Sequence, residues 1–419
     1  MTAPFCRRML MPLRISSQGA EQMSITYRLY QPNDVEQVVG VVGRAFPHVG
    51  PFTVAAWQKL ESRDHVTVVA DDGGRIAGAI PFDLRDFLVR PGVVLRVAVA
   101  HAVAVDAPYR NQGVGSAMMS FAKAEFPAGC DAMFVYTGGE GRAPYTFYQR
   151  NGFVDLMYSR PYRLSDLPAA TPSGIRVTPF DAAGLGPTLD ATFQSAYAAS
   201  AGFARRGPGY WQRALESIIY VEIPYDFRIA YAGSATDMAG YAIFGLRQDY
   251  AALLEVAVRP EAAGVIADLL QAVSAAAAAN GAKEVRLIAP VTHPAVAALQ
   301  AMGCQGGSRS AGISVLAGQV LSFESVWRKL GGEGGPALHV WTPRQENAPG
   351  REFDLVGQGA AVTLEMKRST AHRLFLCRED IQASVAAERI TSPEPALPLA
   401  QLANTFRPAP WIYHYIEWI

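Results

Sequence analysis

The sequence predicts an α/β protein in which one mixed strand-and-helix domain occurs twice and a further α/β segment follows. Three observations support this prediction. The chain has 419 residues, too many for a single hydrophobic core. Strand-like and helix-like runs alternate through residues 24–163. A similar order of runs returns within residues 174–318, about 150 residues later, which indicates an internal repeat.

The first repeat, residues 24–165, begins with an alternating strand-like run at Ile25–Leu29. A hairpin is predicted where the strand-like runs His65–Ala70 and Ile76–Phe82 flank the turn Asp71-Asp72-Gly73-Gly74. Val93–Val105 is rich in valine and is predicted to be one long strand. The elements predicted after it are a helix at Gly113–Phe126, a strand at Cys130–Tyr136 and a short helix at Pro144–Asn151.

Three prolines between Pro161 and Ser173 predict a linker to the second repeat. That repeat, residues 174–318, is expected to contain an alanine-rich helix at Gly264–Asn280. Residues 319–419 form the third segment, with a predicted helix at Leu374–Ala387. Its closing aromatic run is too apolar for a solvated tail, so we expect it to be packed. Residues 1–23 are predicted to be a disordered extension.

Composition and charge argue against several classes of function. The formal net charge is zero, which argues against a nucleic-acid-binding protein. The four cysteines lie far apart and beside no histidine cluster, so the sequence predicts no metal site, no disulfide framework and a cytoplasmic location. No apolar run reaches the roughly 20 residues that span a bilayer. The sequence does not determine the oligomeric state, so a monomer and a homo-oligomer both remain open.

The most informative run places Arg-x-x-Gly-x-Gly, residues 110–115, between the valine-rich strand and a helix. Gly113 and Gly115 would let the backbone approach a phosphate. The unpaired N–H groups of the first helical turn and the helix dipole would bind pyrophosphate, and Arg110 would add positive charge at the mouth. The run therefore predicts an anion cradle. A plain strand-to-helix turn is the alternative.

A second run, Tyr145 to Phe153, follows the next predicted strand and contains Phe-Tyr-x-x-x-Gly-Phe. The two runs, in this order and spacing, resemble the two cofactor motifs of the GNAT superfamily of N-acetyltransferases over roughly residues 24–163. One departure is visible in the first motif. Ala107 stands where the family usually has proline, and Pro108 follows it, while Arg-x-x-Gly-x-Gly is intact.

The resemblance implies that acetyl-CoA is the cosubstrate and that no metal takes part. Its pantetheine arm would pair with the strand segment Val103, Ala104 and Val105. The residues implied to hold the pyrophosphate are Arg110, Asn111, Gln112, Gly113, Val114, Gly115 and Ser116. Tyr148 would protonate the departing CoA thiolate, a role that suits a phenol with a pKa of about 10. The alternative for Tyr148 is an aromatic core residue.

Two groups compete for the role of base. His101 lies nine residues before Arg110, and strand alternation would put it on the same face as Val103 and Val105. An imidazole suits proton abstraction near neutral pH, although a lone histidine in an apolar strand is often a core residue. The second candidate, the terminal carboxylate of Ile419, comes from a closer resemblance.

The domain order resembles the enhanced-intracellular-survival (Eis) family of bacterial acetyltransferases. That family joins a working GNAT domain, a degenerate GNAT domain and a sterol-carrier-protein-like domain whose terminal carboxylate enters the active site. The second repeat fits a degenerate domain, because Glu261 and a single glycine, Gly264, stand where the cradle would be. The implied reaction acetylates the primary amine of a small molecule or peptide. The alternative is a non-catalytic acyl-CoA- or lipid-binding carrier.

Overall fold

The computed structural model describes residues 25–47, 53–61, 64–216, 225–307, 314–343, 350–393 and 398–417. The predicted extension at residues 1–23 and the predicted base at Ile419 lie outside these ranges. Within them, no helix is both long and apolar enough to cross a bilayer.

The first repeat folds as a mixed sheet with helices, in the predicted order. Its elements are β1 (Ile25–Leu29), α1 (Val35–Ala45), α2 (Val54–Glu61), β2 (His65–Asp72), β3 (Arg75–Arg90), β4 (Val93–Ala100), β5 (Ala104–Val105), α3 (Val114–Glu125), β6 (Ala132–Gly138), α4 (Ala143–Arg150) and β7 (Val154–Leu164).

The second repeat follows the same order of elements. They are β8 (Ile175–Pro179), α5 (Ala182–Ala196), β9 (Phe203–Ala204), α6 (Tyr210–Glu216), β10 (Asp226–Ser234), β11 (Asp237–Leu246), β12 (Tyr250–Val258), α7 (Val265–Ala279), β13 (Glu284–Ala289), α8 (Pro294–Ala301), β14 (Gln305–Gly306) and β15 (Ser314–Val320). The strand-to-helix step from β12 to α7 corresponds to the step from β5 to α3, so the internal repeat that the sequence predicted is present in the fold.

The two repeats share one continuous sheet. Its strand order is β1-β2-β3-β4-β6-β15-β7-β13-β12-β11-β10-β8. Strand β15 comes from the end of the second repeat, yet it lies antiparallel between β6 and β7 of the first. Strand β7 in turn pairs with β15 through its first half and with β13 through its second. The repeats therefore exchange strands, and the boundary predicted at residue 318 falls inside β15.

The linker predicted to begin at Pro161 is wrong in its first part, because β7 continues to Leu164. Ser159 is the last residue of β7 that pairs with β15, and Arg160 is the first that pairs with β13. Pro161 thus follows directly after β7 changes partner. A proline is tolerated where a ladder is interrupted, and this explains why its presence did not end the strand.

The long valine-rich strand predicted over residues 93–105 is also wrong in part, because a bulge divides it. Along β3, two residues lie between Phe82 and Ala79, whereas three lie between their partners Ala100 and Ala104. The extra residue puts Ala102 at a φ of 42°, in the left-handed region. A bulge shifts the alternation of faces, so His101 and Val103 do not share a face by simple alternation.

The third segment packs on the first repeat. Its elements are α9 (Phe323–Lys329), β16 (Pro336–Thr342), β17 (Arg351–Leu355), β18 (Gly359–Met366), α10 (Arg368–Phe375), α11 (Ile381–Ala386), β19 (Ile390–Thr391) and α12 (Leu399–Thr405). The helix predicted over 374–387 is replaced by α10 and α11, with Cys377 left-handed between them. Trp327 and Phe375 share a core with Phe87 of β3 and Phe134 of β6.

The closing run is packed as predicted, as far as residue 417. Trp411 and Tyr413 are buried, and Trp411 donates its indole N–H to the carbonyl of Val89 at 2.9 Å. The ring of Tyr413 lies 5.0 Å from that of Tyr136 on β6. The C-terminal segment therefore runs along the sheet of the first repeat.

Candidate acetyltransferase site

The segment predicted to be an anion cradle lies where the chain passes from β5 into α3. Asn111 and Gly113 are both left-handed, with φ of 61° and 80°. Gly113 precedes the first helical residue and brings no side chain to cap α3. Among the described residues, nothing accepts a hydrogen bond from the N–H groups of residues 114–116. Helix α3 has 12 residues, so its open first turn can bind an anion.

The two glycines of the cradle act differently from one another. A Cβ on Gly113 would meet no atom within 4 Å, so glycine is required here by the left-handed backbone conformation and not by lack of space. A Cβ on Gly115 would lie 3.2 Å from Cε2 of Phe147 and 3.6 Å from Val105. Gly115 therefore allows the first turn of α3 to pack closely against α4, rather than only letting the backbone approach a phosphate, which was the reason predicted from the sequence.

The mouth of the cradle is rich in guanidinium groups. Arg110 is exposed, and its Nε donates to the carbonyl of Val105 at 2.9 Å, the strand segment that was predicted to pair with pantetheine. Behind it, Asp106 accepts two 3.0 Å hydrogen bonds from Arg44 and one of 3.4 Å from Arg75. Its hydrogen bonds with Arg44 lower the pKa of Asp106, although desolvation acts in the opposite direction. Two arginines thus neutralise this carboxylate near the cradle.

Tyr148 lies on α4, next to the residue that touches the cradle. Its ring packs edge-on against Phe147 and Phe153, and the residue is 6% exposed. Burial raises its pKa well above the ordinary value, so the phenol stays protonated. Asn151, just after α4, donates to Ser116 Oγ at 3.3 Å and ties this helix to the first turn of α3. The structure therefore packs α4, the helix that carries Tyr148, against the first turn of α3.

His101 belongs to a group that the sequence did not indicate. Its Nε2 lies 3.5 Å from Oδ1 of Asp83 on β3, and the His101 side chain is 9% exposed. The ring of His65 on β2 lies 5.7 Å from that of His101. Ligand atoms of the three residues lie within 4.8 Å of one another, a spacing that a metal ion would also require. Asp83 was missed because the predicted strand ended at Phe82, whereas β3 continues to Arg90.

A cavity of about 630 Å³ opens beside this group, between the two repeats. Asp83 lines it from the first repeat and Asp190 from the second. The other charged residues on its wall are Asp64, Arg85, Asp86, Arg96, Arg205, Arg206 and Arg213. Ile416 of the C-terminal segment also reaches the cavity. Carboxylates and guanidinium groups alternate on its wall, so the cavity suits a polar, charged molecule.

Glu417 anchors the C-terminal segment beside the cavity. Its buried carboxylate pairs with Arg206, which in turn pairs with Glu255 of β12 at 2.6 Å. Its carbonyl accepts from Arg85 at 3.2 Å. Burial raises the pKa of Glu417, while Arg206 acts to lower it. The described chain therefore ends next to the Asp83 group, and Ile419 lies two residues further on, outside the described ranges.

Among the described residues of the second repeat, no comparable cradle precedes α7. Arg259 occupies the place of Arg110, but its guanidinium pairs with Asp237 at 2.8 Å. Gly264 precedes α7 with a φ of −63°, an ordinary helical value. Glu261 lies in the turn before that helix, where its charge would repel a phosphate.

Comparisons with known proteins agree with this geometry. A family model described as an acetyltransferase (GNAT) domain matches residues 63–155. A crystal structure of a GCN5-related N-acetyltransferase from Anabaena variabilis is 14% identical with a TM-score of 0.68, and the similarity covers 92% of this chain and 98% of that one. Eis1 from Mycobacterium abscessus is 15% identical with a TM-score of 0.60, covering 92% and 98%.

A GCN5-related N-acetyltransferase from Kribbella flavida is 16% identical with a TM-score of 0.62, covering 92% of this chain and 97% of that one. No curated protein matches the chain by sequence. At these identities the likeness to solved structures concerns the fold. Residues 63–155 therefore form a domain of the acetyltransferase (GNAT) type, within a chain whose fold along more than nine-tenths of its length is that of these structures.

Proposed function

We propose that this chain transfers an acetyl group from acetyl-CoA to a primary amine within a ternary complex. One observation carries the proposal: α4, the helix that bears Tyr148, is joined to the open first turn of α3. The Gly115–Phe147 contact and the Asn151–Ser116 hydrogen bond make this junction. A plain strand-to-helix turn would require neither the left-handed Gly113 nor the uncapped first turn.

The residues present fit coenzyme A. The N–H groups of the first turn of α3 and the guanidinium of Arg110 would bind the pyrophosphate. The bulge at residues 101–103 separates β4 from β5, so backbone groups of Val103 and Ala104 become available to a pantetheine arm. Acetyl-CoA would supply an activated thioester. The acceptor amine would bind in the cavity between the repeats, where Asp83 and Asp190 can hold an ammonium group.

The proposed proton transfers use His101 and Tyr148. His101 takes one proton from the acceptor ammonium, so that the neutral amine can attack. The new C–N bond forms as the C–S bond breaks. Tyr148, kept protonated by burial, gives its proton to the sulfur and recovers one released by the acceptor nitrogen. The terminal carboxylate of Ile419 is the second candidate for the base.

The general arrangement of sheet and helices in the third segment supports its assignment as a sterol-carrier-protein-like domain. A four-stranded sheet, in the order β17-β16-β18-β19, carries the short helices of this segment. We therefore propose that this segment is such a domain and that its role is to pack against the first repeat.

Thiol release from acetyl-CoA tests the proposal, with spermine, an aminoglycoside, free lysine and a lysine peptide as acceptors. We expect release that depends on one class of amine, and an acetylated product of the corresponding mass. A carrier without catalytic activity would bind CoA in calorimetry but release no thiol with any acceptor.

A further inference from the structure

We propose that Asp83 is the positioning residue that holds His101 in the tautomer and orientation needed for a base. This inference rests on the proposed function and adds a residue to the same site. His101 directly follows β4, and Asp83 lies on the neighbouring strand β3, where it lines the acceptor cavity. A carboxylate beside one imidazole nitrogen fixes the proton on that nitrogen and frees the other to accept a proton.

The backbone sets the distance between the two side chains. The N–H of His101 donates to the carbonyl of Pro81 at 3.0 Å, directly after the last residue of β4. The bulge begins at this point, and Asp83 lies two residues further along β3. The separation of 3.5 Å between Nε2 and Oδ1 is long for a hydrogen bond, and catalytic hydrogen bonds often tighten when substrate binds.

Arg85 pairs with Asp83 and favours a proton relay over a metal site. Its partly buried guanidinium donates to Oδ2 of Asp83 at 2.6 Å. A divalent cation between His65, Asp83 and His101 would lie a few ångströms from this positive charge, in a region of low dielectric. A proton on His101 adds one charge, which Asp83 can balance together with Arg85.

Other titratable groups face the pair from several elements. His65 comes from β2 and Arg85 from β3, while Tyr136 on β6 and Tyr210 on α6 act on Arg85. Glu417 reaches Arg85 from the C-terminal segment. Replacing Asp83 by Asn leaves Arg85 uncompensated beside His101, so protonation of His101 becomes less favourable. The midpoint of the His101 titration should therefore move to lower pH.

The test is NMR titration of the full chain with isotope-labelled histidine. The chain has seven histidines, and His101→Gln identifies the signal of His101. In the wild type we expect neutral His101 to carry its proton on Nε2. In Asp83→Asn we expect the midpoint to fall by at least about half a pH unit. Asp86→Asn, a carboxylate on the same strand and cavity wall, should leave the midpoint unchanged.

Kinetics with whichever amine of that panel is acetylated provide the second measurement. Asp83→Asn should lower kcat by about tenfold or more and move the acidic limb of the pH profile to lower pH, with CoA affinity unchanged. His65→Phe should keep that limb in place. A proton on Nδ1 in the wild type, or an unmoved midpoint in Asp83→Asn, would overturn the proposal even if the variant folds poorly.

Detection of a bound metal ion would also overturn the proposal that Asp83 positions His101. One equivalent of zinc in the purified enzyme, lost in His65→Phe, would make the cluster a metal site. If the wild type releases thiol with no amine at all, the proposed function fails, and the NMR titration still decides whether Asp83 controls His101.

Discussion

The ring of Phe147 lies so close to the backbone of Gly115 that a Cβ there would be 3.2 Å from its Cε2. The contact joins the first turn of α3 to the helix that carries Tyr148. Gly115→Ala should push the two helices apart, lower CoA affinity and destabilise the fold by roughly 1–3 kcal/mol, as overpacking does. Calorimetry and urea unfolding measure the two effects.

The matched control for this variant is Gly264→Ala in the second repeat. Gly264 also precedes a helix, but a Cβ there would meet nothing within 4 Å, and its φ is ordinary. CoA affinity should therefore be unchanged in this variant. Equal losses in the two variants would mean that the Gly115–Phe147 contact does not organise the cradle.

We expect one CoA site per chain, formed by the first repeat. Arg110→Ala should weaken CoA binding about tenfold, because it removes a charge-assisted contact to phosphate at the mouth of the cradle. Arg259→Ala, at the corresponding place in the second repeat, should have no effect, since Arg259 pairs with Asp237. Calorimetry that gives two equivalent sites per chain would contradict this picture.

Tyr148→Phe should lower kcat at least tenfold with little change in CoA affinity. The hydroxyl is needed only as the thiolate leaves, so its loss acts on the transition state. No described group hydrogen-bonds that hydroxyl, and the thermal midpoint should therefore stay close to the wild type. Tyr145→Phe on the same helix loses a 2.8 Å hydrogen bond to Asp155 and should leave kcat nearly unchanged.

The base can be assigned by two parallel changes. His101→Gln should abolish most acetyl transfer while CoA still binds, if His101 accepts the proton. Adding a few residues after Ile419 should then have little effect on kcat. The reverse outcome, an active His101→Gln enzyme and an inactive extended chain, would give the role to the carboxylate of Ile419.

Two buried histidines predict how stability depends on pH. Burial lowers the pKa of His293 to about 4 and, together with Arg368, that of His372 to about 3. Each accepts a backbone N–H through Nδ1, from Ala295 and Val320 respectively. Their folded-state pKa values lie below the unfolded value of about 6.5, so the stabilisation is present above pH 6.5 and is lost as pH falls.

The free energy of unfolding should therefore decrease from about pH 6.5 down to about pH 3. His293→Asn keeps a helix-capping acceptor but cannot be protonated, and it should flatten part of this decrease. His339→Asn, at an exposed position on β16, is the matched control and should leave the slope unchanged. Urea unfolding at a series of pH values makes the measurement.

Much of the fold could be predicted from local sequence patterns. The cradle, α3, α4 and the repeat were predictable because turn residues and apolar spacing lie within short windows. The bulge at Ala102 was not, because its residues are as apolar as a continuous strand. Nor was Asp83, whose meaning depends on His101 across the sheet. The place of β15 could not be predicted, since pairing between β6 and residues 314–320 leaves no local signal.

The position of β15 determines when, during synthesis, the sheet of the first repeat can be completed. On a ribosome, residues 25–164 emerge long before residues 314–320, and until then the gap between β6 and β7 has no strand to fill it. The nascent first repeat presents two unsatisfied strand edges next to α4, a configuration prone to self-association. A fragment ending near residue 165 should therefore aggregate, and supplying the second repeat as a separate chain should rescue it.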